Sequence, residues 1–111
     1  MTVFQKIIDG EIPCKKVYED DDVLAFHDIA PQAPVHILVI PKKAIRSVDT
    51  AEQGDQSLIG KLMLVSAQGA RQEGLGESGY RLVTNVGTDG GQTVFHLHVH
   101  IMGGRPMRGM G

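Results

Sequence analysis

Three histidines, His96, His98 and His100, occupy every second position of the segment 95–101. If that segment is a β-strand, the three side chains point to one face and the Cα atoms of successive histidines lie roughly 6.8 Å apart. The apolar residues between them would face the core, an alternation typical of a half-buried strand. The spacing therefore predicts a row of three imidazoles on one face of a sheet.

A metal site is one possible use of such a row, but the spacing argues against it. Three histidines span about 13 Å of strand, whereas the bonds of a tetrahedral zinc site are about 2 Å long. A further ligand would have to come from elsewhere. No carboxylate follows Asp89, and the one thiol, Cys14, is distant in the sequence. We therefore expect neither a metal nor a cofactor.

Nucleophilic catalysis is the use that we favour over a mere run of surface histidines. Neutral imidazole is a good nucleophile near pH 7, because its unperturbed pKa is about 6.5. Attack at phosphorus suits it, since the protein need only hold the phosphoryl oxygens, align the nucleophile and protonate the leaving group. One neighbouring histidine can fix the tautomer of the central ring while the other donates to a phosphate oxygen.

Glycine-rich turns flank the row on both sides. Residues 87–93 precede it, and Gly103, Gly104 and Arg105 follow it. Glycine lets backbone N–H groups approach an anion closely, and Arg105 could add positive charge. Either segment alone is an ordinary turn, but beside the histidines the two indicate a phosphate site.

The elements that must position these residues follow from the periodicity of the chain. Thr2 and Gln5 form a capping box that begins a short helix, which ends near Asp9 before Gly10. We predict strands over residues 16–18, 23–27, 35–40, 80–85 and 94–102, and one long helix over residues 55–73. The predicted fold is α+β, a five-stranded antiparallel sheet with one short N-terminal and one long central helix.

The long helix carries more apolar surface than a single sheet can cover. One stripe contains Leu58, Ile59, Leu62 and Val65, and a second surface continues through Gly60, Met63, Leu64 and Ala67. We expect the second surface to form a homodimer interface. The alternative is a helix covered by loops of its own chain.

Length and composition favour a small enzyme. We predict a single domain over residues 1–111, with about 105–111 as a mobile tail. A net charge of −2 gives no basic field for nucleic acid or an anionic membrane. No stretch approaches the roughly 20 apolar residues of a spanning helix, and the N-terminus lacks a signal-like pattern. A single cysteine suits a reducing cytoplasm.

Several motifs resemble the histidine triad (HIT) superfamily and, within it, the Hint branch. Residues 96–102 resemble the signature H-x-H-x-H followed by two apolar positions. Residues 4–13, 26–36, 39–43 and 89–92 also resemble that branch, so the resemblance covers almost the whole chain. Members of the branch are homodimeric purine nucleoside phosphoramidases, which cleave the P–N bond of adenosine or guanosine 5′-phosphoramidates. The resemblance implies a HIT-like fold and this activity.

The resemblance also implies a role for each matching residue. His98 matches the nucleophile that forms a nucleotidyl-histidine intermediate, His100 matches a phosphate contact, and His96 matches a residue that organises the site beside His36. Asp28 matches the carboxylate that holds the ribose hydroxyls, as a carboxylate can accept from two vicinal O–H groups. The other matches are the apolar base slot of Phe4, Ile12, Phe26, Ile29 and Leu38, and the phosphate contacts Asn85, Gly91, Gln92 and Thr93.

Some of these residues have simpler explanations when they are taken alone. The apolar residues of the slot are typical of a core, and Asp28 could simply begin a turn. His36 lies in an apolar run and could be a core histidine with satisfied hydrogen bonds. Asn85 could bond only its own turn.

The chain departs from the family pattern at two places. Thr93 stands where the family commonly has serine, and residues 106–111 contain no tryptophan, unlike the tails of some relatives that help to form the substrate pocket. The leaving amine and the choice between adenine and guanine are therefore left open.

We predict a hydrolase of purine nucleoside 5′-phosphoramidates whose catalytic residues are His98, His100, His96, His36 and Thr93. Two alternatives stay open. A dinucleoside polyphosphate hydrolase or nucleotidyltransferase of the same superfamily would use the same histidine on a P–O bond. A non-catalytic interaction module would bind a nucleotide or zinc without turnover.

Overall fold

The computed structural model describes residues 1–110, and Gly111 of the predicted tail lies outside the described residues. The elements in chain order are α1 (Val3–Ile8), β1 (Lys16–Glu19), β2 (Val23–His27), β3 (Val35–Pro41), α2 (Gln56–Gln72), β4 (Tyr80–Val83) and β5 (Val99–Gly103), with two short 3-10 turns, Val48–Thr50 and Gln53–Asp55, before α2. The strands form one antiparallel sheet in the order β1-β2-β3-β5-β4. The predicted fold class is confirmed.

The two faces of the sheet differ in what covers them. Ile37 and Val39 of β3 join the core that packs against α2, whereas Leu38 of the same strand packs with Phe4 of α1. Ile101 of β5 lies in the α2 core, and the neighbouring His100 is paired with Leu38 in register. The alternation of side chains along each strand therefore places His100 on the α1 face.

The strand predicted over residues 94–102 is wrong in its first half, because β5 begins at Val99. The N–H of Leu97 donates to the carbonyl of Ile45 at 2.7 Å, and the Thr84 hydroxyl donates to the carbonyl of His98 at 2.8 Å. The backbone groups of Leu97 and His98 therefore make these bonds in place of the hydrogen bonds of a continuous β-strand. Sequence alternation does not reveal such bonds, since they join residues that are far apart in the chain.

Both predicted helices are present. The N–H of Gln5 donates to the Thr2 hydroxyl at 3.1 Å, so Thr2 caps α1. Leu62 and Val65 of α2 are buried against the sheet. Met63 and Leu64 stay 44% and 73% exposed in the single chain. Within residues 1–110, none of the helices has the length and apolar character needed to cross a bilayer.

Candidate active site

His98 and His100 lie where β5 begins, on the α1 face of the sheet. Their ring centroids are 4.9 Å apart. Two adjoining cavities, of about 300 and 350 Å³, share both rings together with Asp28 and Thr93. We call the first cavity the apolar slot and the second the polar basin. The shared residues stand where the two cavities meet.

The proton position on His98 is fixed by a backbone carbonyl. Nδ1 of His98 lies 2.7 Å from the carbonyl oxygen of His96. A carbonyl can only accept, so Nδ1 must carry the proton, and in the neutral ring Nε2 has a free lone pair. Burial lowers the pKa of His98 below its ordinary value, which keeps the ring neutral at pH 7. His98 therefore presents an unprotonated nitrogen suited to nucleophilic attack.

A chain of hydrogen bonds fixes the protons on His36 and His100. The N–H of Gln32 donates to Nδ1 of His36 at 3.0 Å, so a neutral His36 carries its proton on Nε2. That nitrogen lies 2.9 Å from Nδ1 of His100 and must donate to it. The proton of His100 is then on Nε2. We call this chain the Gln32-His36-His100 relay.

Burial keeps the relay neutral. It lowers the pKa of His36, against the opposing effect of the Asp28 carboxylate. Burial, reinforced by the neighbouring His98 and His36, lowers the pKa of His100 to about 4. Since both rings are neutral at pH 7, the single proton of each ring stays where the hydrogen bonds require it.

His96 does not lie in the cleft. The residue is only 2% exposed, and its Nε2–H donates to the carbonyl of Pro41 at 2.8 Å. His36 and Pro41 lie at opposite ends of β3, so the structure does not bring His96 beside His36. The contribution of His96 to the cleft is its backbone carbonyl, which holds His98.

The apolar slot collects every residue that the resemblance assigned to the base. It is lined by the predicted Phe4, Ile12, Phe26, Ile29 and Leu38, and also by Val3, Ile7, Pro13, Cys14, His27 and Val94. Phe4 makes an edge contact with the His98 ring at 4.9 Å between centroids. Ile29 is 99% exposed at the rim. The slot is thus continuous with the core on one side and open on the other.

Asp28 stands between the apolar slot and the relay. One carboxylate oxygen, Oδ1, accepts from the N–H of Ala30 at 2.8 Å, so Asp28 does shape its own turn. The other, Oδ2, lies 3.5 Å from Nε2 of His36. The remaining lone pairs of the carboxylate are free to accept from a ligand.

The loop before the histidines is braced by its own amides. Asn85 donates to the carbonyl of Gly90 at 2.7 Å and lines the polar basin with Gly91 and Thr93. A Cβ at Gly90 would collide with the carbonyl oxygen of Val86, so only glycine fits there. The loop is therefore held close to the basin.

The side chain of Gln92 is buried and turned into the protein rather than the basin. It accepts from the N–H of Gly87 at 2.9 Å and donates to the carbonyls of Arg46 and Val94 at 2.8 and 3.1 Å. These bonds occupy both ends of the amide. The structure thus places Gln92 as a brace of the loop, while Thr93 reaches both cavities.

Sequence reasoning missed two features of the cleft. Gln32 acts through its peptide N–H, so its residue type gives no signal. Asp28, His36 and His100 form a group whose possible ligand atoms lie within 4.8 Å of one another, a spacing that one metal ion could bridge. However, a metal on Nε2 of His36 would have to displace the proton that the Gln32 bond places there. The hydrogen bonds therefore favour the Gln32-His36-His100 relay over a metal ion at this position.

Comparison with known proteins places the chain in a family. The model of the HIT domain matches residues 9–107. The chain is 58% identical over 106 residues to an uncharacterized HIT-like protein of Synechococcus elongatus, covering 96% of this chain and 92% of that protein. It is 49% identical over 106 residues to the purine nucleoside phosphoramidase of Escherichia coli K12, covering 96% and 89%. A crystal structure of a HIT family hydrolase from Legionella pneumophila Philadelphia 1 superposes with a TM-score of 0.94 at 47% identity, covering 97% of this chain and 96% of that one.

Proposed function

The chain belongs to the HIT domain family and resembles its hydrolases, and from this premise we propose that it hydrolyses purine nucleoside 5′-phosphoramidates to a nucleoside monophosphate and an amine. The observation that carries the proposal is the proton position on His98. Its Nδ1–H is held by the His96 carbonyl, so the lone pair of Nε2 is available to attack phosphorus.

The reaction proceeds in two displacements at the α-phosphorus. In the first, Nε2 of His98 forms a bond to phosphorus while the P–N bond of the substrate breaks, and its electron pair leaves with the amine nitrogen, which takes up a proton. In the second, water attacks phosphorus and releases a proton to the solvent, while the bond from phosphorus to His98 breaks and its electron pair returns to Nε2, which regenerates the neutral ring. The His96 carbonyl stabilises the positive ring of the intermediate through the retained Nδ1–H.

His100 and Thr93 supply the polar contacts of the reacting group. The Nε2–H of His100 is directed by the relay to donate to a phosphate oxygen, which gains negative charge in the transition state. Thr93 lines both cavities, and we assign its hydroxyl the role of passing a proton to the leaving amine. Asn85 and the backbone at Gly91 complete the basin around the phosphate.

The base occupies the apolar slot, and the ribose lies beside Asp28 at the edge of that slot. A purine ring fills a slot lined mainly by aliphatic and aromatic side chains, including Phe4, Phe26 and Leu38. Ile29, which is exposed at the rim of the slot, covers the outer face of the base. The free lone pairs of Asp28 accept from the ribose hydroxyls.

We further propose that the protein is a homodimer of the cytoplasm that acts without a metal or cofactor. The apolar side chains of Met63 and Leu64 are exposed on α2 in the single chain. Gly60 lies beside them and has no side chain, so a second helix could approach closely. A two-fold pairing of α2 with α2 would cover this surface. The free thiol of Cys14 is consistent with a reducing compartment.

The test is hydrolysis of a fluorogenic adenosine 5′-phosphoramidate by wild type and His98→Ala, with intact mass measured on rapidly quenched reactions. We expect turnover and an AMP-sized adduct in wild type, and neither in the variant. Gln72→Ala is the control, since the Gln72 side chain donates to the carbonyl of Val17 and lines neither cavity. Near-native turnover by His98→Ala would exclude the covalent mechanism.

The same assay separates the alternatives. A dinucleoside polyphosphate hydrolase would cleave its P–O substrate faster than the phosphoramidate when the two are compared at equal concentration. A nucleotidyltransferase would give the His98 adduct but pass the nucleotide to an acceptor other than water. A binding module would retain nucleotide or zinc and show no turnover that depends on His98.

A further inference from the structure

Arg105 lies just after β5, and its position is determined by the glycine before it. Gly104 has a φ of +96°, and a Cβ there would lie 2.7 Å from the Cβ of Pro34. Any other residue at this position would be strained and would push against the loop between β2 and β3. The chain therefore leaves β5 in direct contact with that loop, which carries Asp28 and Gln32.

The guanidinium of Arg105 bonds this loop rather than the polar basin. Its Nη2 donates to the carbonyl of Gln32 at 3.0 Å, and its Nη1 donates to the carbonyl of Pro106 at 3.2 Å. Arg105 is not among the residues that line either cavity. The sequence suggested that Arg105 adds positive charge to a phosphate site, but in the structure its guanidinium holds the Gln32 backbone.

We propose that Arg105 is a positioning residue that fixes the proton of His100 in place through Gln32 and His36. The bond to the Gln32 carbonyl keeps the neighbouring Gln32 N–H directed at Nδ1 of His36. That N–H in turn keeps the His36 proton on Nε2, where it donates to Nδ1 of His100. Four residues are thereby linked, and the last of them faces the cleft.

Release of Gln32 changes which tautomers are allowed. If its N–H moves away, His36 is free to carry its proton on Nδ1, and its Nε2 lone pair then faces His100. The stable arrangement in that case has Nδ1 of His100 as the donor, because two facing lone pairs repel each other. Nε2 of His100 would lose its proton and could no longer donate to a phosphate oxygen.

The tautomers can be measured without any substrate. Long-range proton–nitrogen NMR correlations on the ¹⁵N-labelled full chain distinguish the protonated nitrogen of each histidine. We expect wild type to show Nε2–H for both His36 and His100, and Arg105→Met to show a second tautomer for both rings. Arg105→Lys, which keeps one charged donor, should restore most of the wild-type pattern.

Arg108→Met is the matched control, because Arg108 lies in the same tail and offers Arg81 its backbone carbonyl rather than its side chain. This variant should keep the wild-type tautomers. If Arg105→Met does not fold, the same spectra on the shorter, uncharged Arg105→Gln decide the question. Wild-type tautomers in a folded Arg105 variant that lacks the guanidinium would overturn the proposal.

Kinetics provide the second measurement, and the part of the proposal that concerns His100 and phosphate rests on the proposed function. On a phosphoramidate substrate, Arg105→Met should lower kcat about tenfold and change KM by less than about twofold, because the lost contact acts on the transition state. Equal losses in Arg108→Met would overturn the assignment to Arg105. If Arg105→Met changes the tautomers but the wild type turns over no phosphoramidate, the role of Arg105 in the relay stands and only the proposed function is rejected.

Discussion

Nε2 of His36 donates to Nδ1 of His100 across 2.9 Å, although the two residues are 64 positions apart in the chain. His36 lies on β3 and His100 on the adjacent β5, so the sheet sets the distance between their rings. Each ring is buried enough to be neutral at pH 7, which leaves one proton per ring and one direction for the bond.

Replacement of His36 should therefore impair catalysis more than binding. We expect His36→Leu to lower kcat about tenfold to a hundredfold, since His100 loses the donor that fixes its proton and a buried acceptor is left unpaired. Steady-state kinetics on a phosphoramidate measure this, with Gln72→Leu, which lies outside both cavities, as the control. An unchanged kcat would show that the relay has no part in the reaction.

Asp28 should discriminate between sugars. We expect wild type to favour a ribose substrate over one that lacks both ribose hydroxyls by about tenfold in KM, the worth of hydrogen bonds to a charged acceptor. Asp28→Asn should lose most of this preference while the KM for the substrate without hydroxyls changes little. The four KM values form a double-mutant cycle. A preference that survives in Asp28→Asn would place the ribose elsewhere.

The exposed surface of α2 should control assembly. We expect wild type to sediment as a dimer, and Leu64→Glu to sediment as a monomer, because a buried and unpaired carboxylate is costly at an apolar interface. Gln53→Glu introduces the same charge at an exposed position outside α2 and should leave the dimer intact. A monomeric wild type at micromolar concentration would contradict the proposed interface.

The buried histidines should make the fold sensitive to mild acid. Burial lowers the pKa of His36, His96 and His98, and lowers that of His100 to about 4, so the unfolded chain binds protons more readily than the folded chain. Stability is then fully present above the unfolded pKa of about 6.5 and is lost as the pH falls toward the folded values.

Urea unfolding at several pH values between 6.5 and 4.5 measures this decline, in a range where most carboxylates are still charged. His100→Asn should show a shallower decrease in the free energy of unfolding, since it removes the group with the pKa of about 4. Identical slopes for wild type and His100→Asn would show that His100 is not held neutral in the folded protein.

Much of the fold could be read from local pattern. The cap at Thr2, the five strands and the long helix all follow from short-range periodicity, and each is present. The absence of a strand before Val99 could not be predicted, because the bonds of Leu97 and His98 go to Ile45 and Thr84, which are distant in the chain. The alternation of apolar and polar residues indicates which side chains are buried, but it does not indicate which hydrogen-bond partner each backbone group has.

The sequence by itself determined the residue types of the candidate site and the family to which they belong. The spacing of His98 and His100 sufficed to place both rings on one face, because side chains alternate along a strand. Only the tertiary structure decided that His96 is turned to Pro41 and that His36 and Gln32 stand behind His100. It also decided that Arg105 donates to the Gln32 carbonyl of the loop between β2 and β3 and does not line the polar basin. The physical reason is that proton positions depend on the donors and acceptors that surround each ring, and folding brings those together from distant parts of the chain.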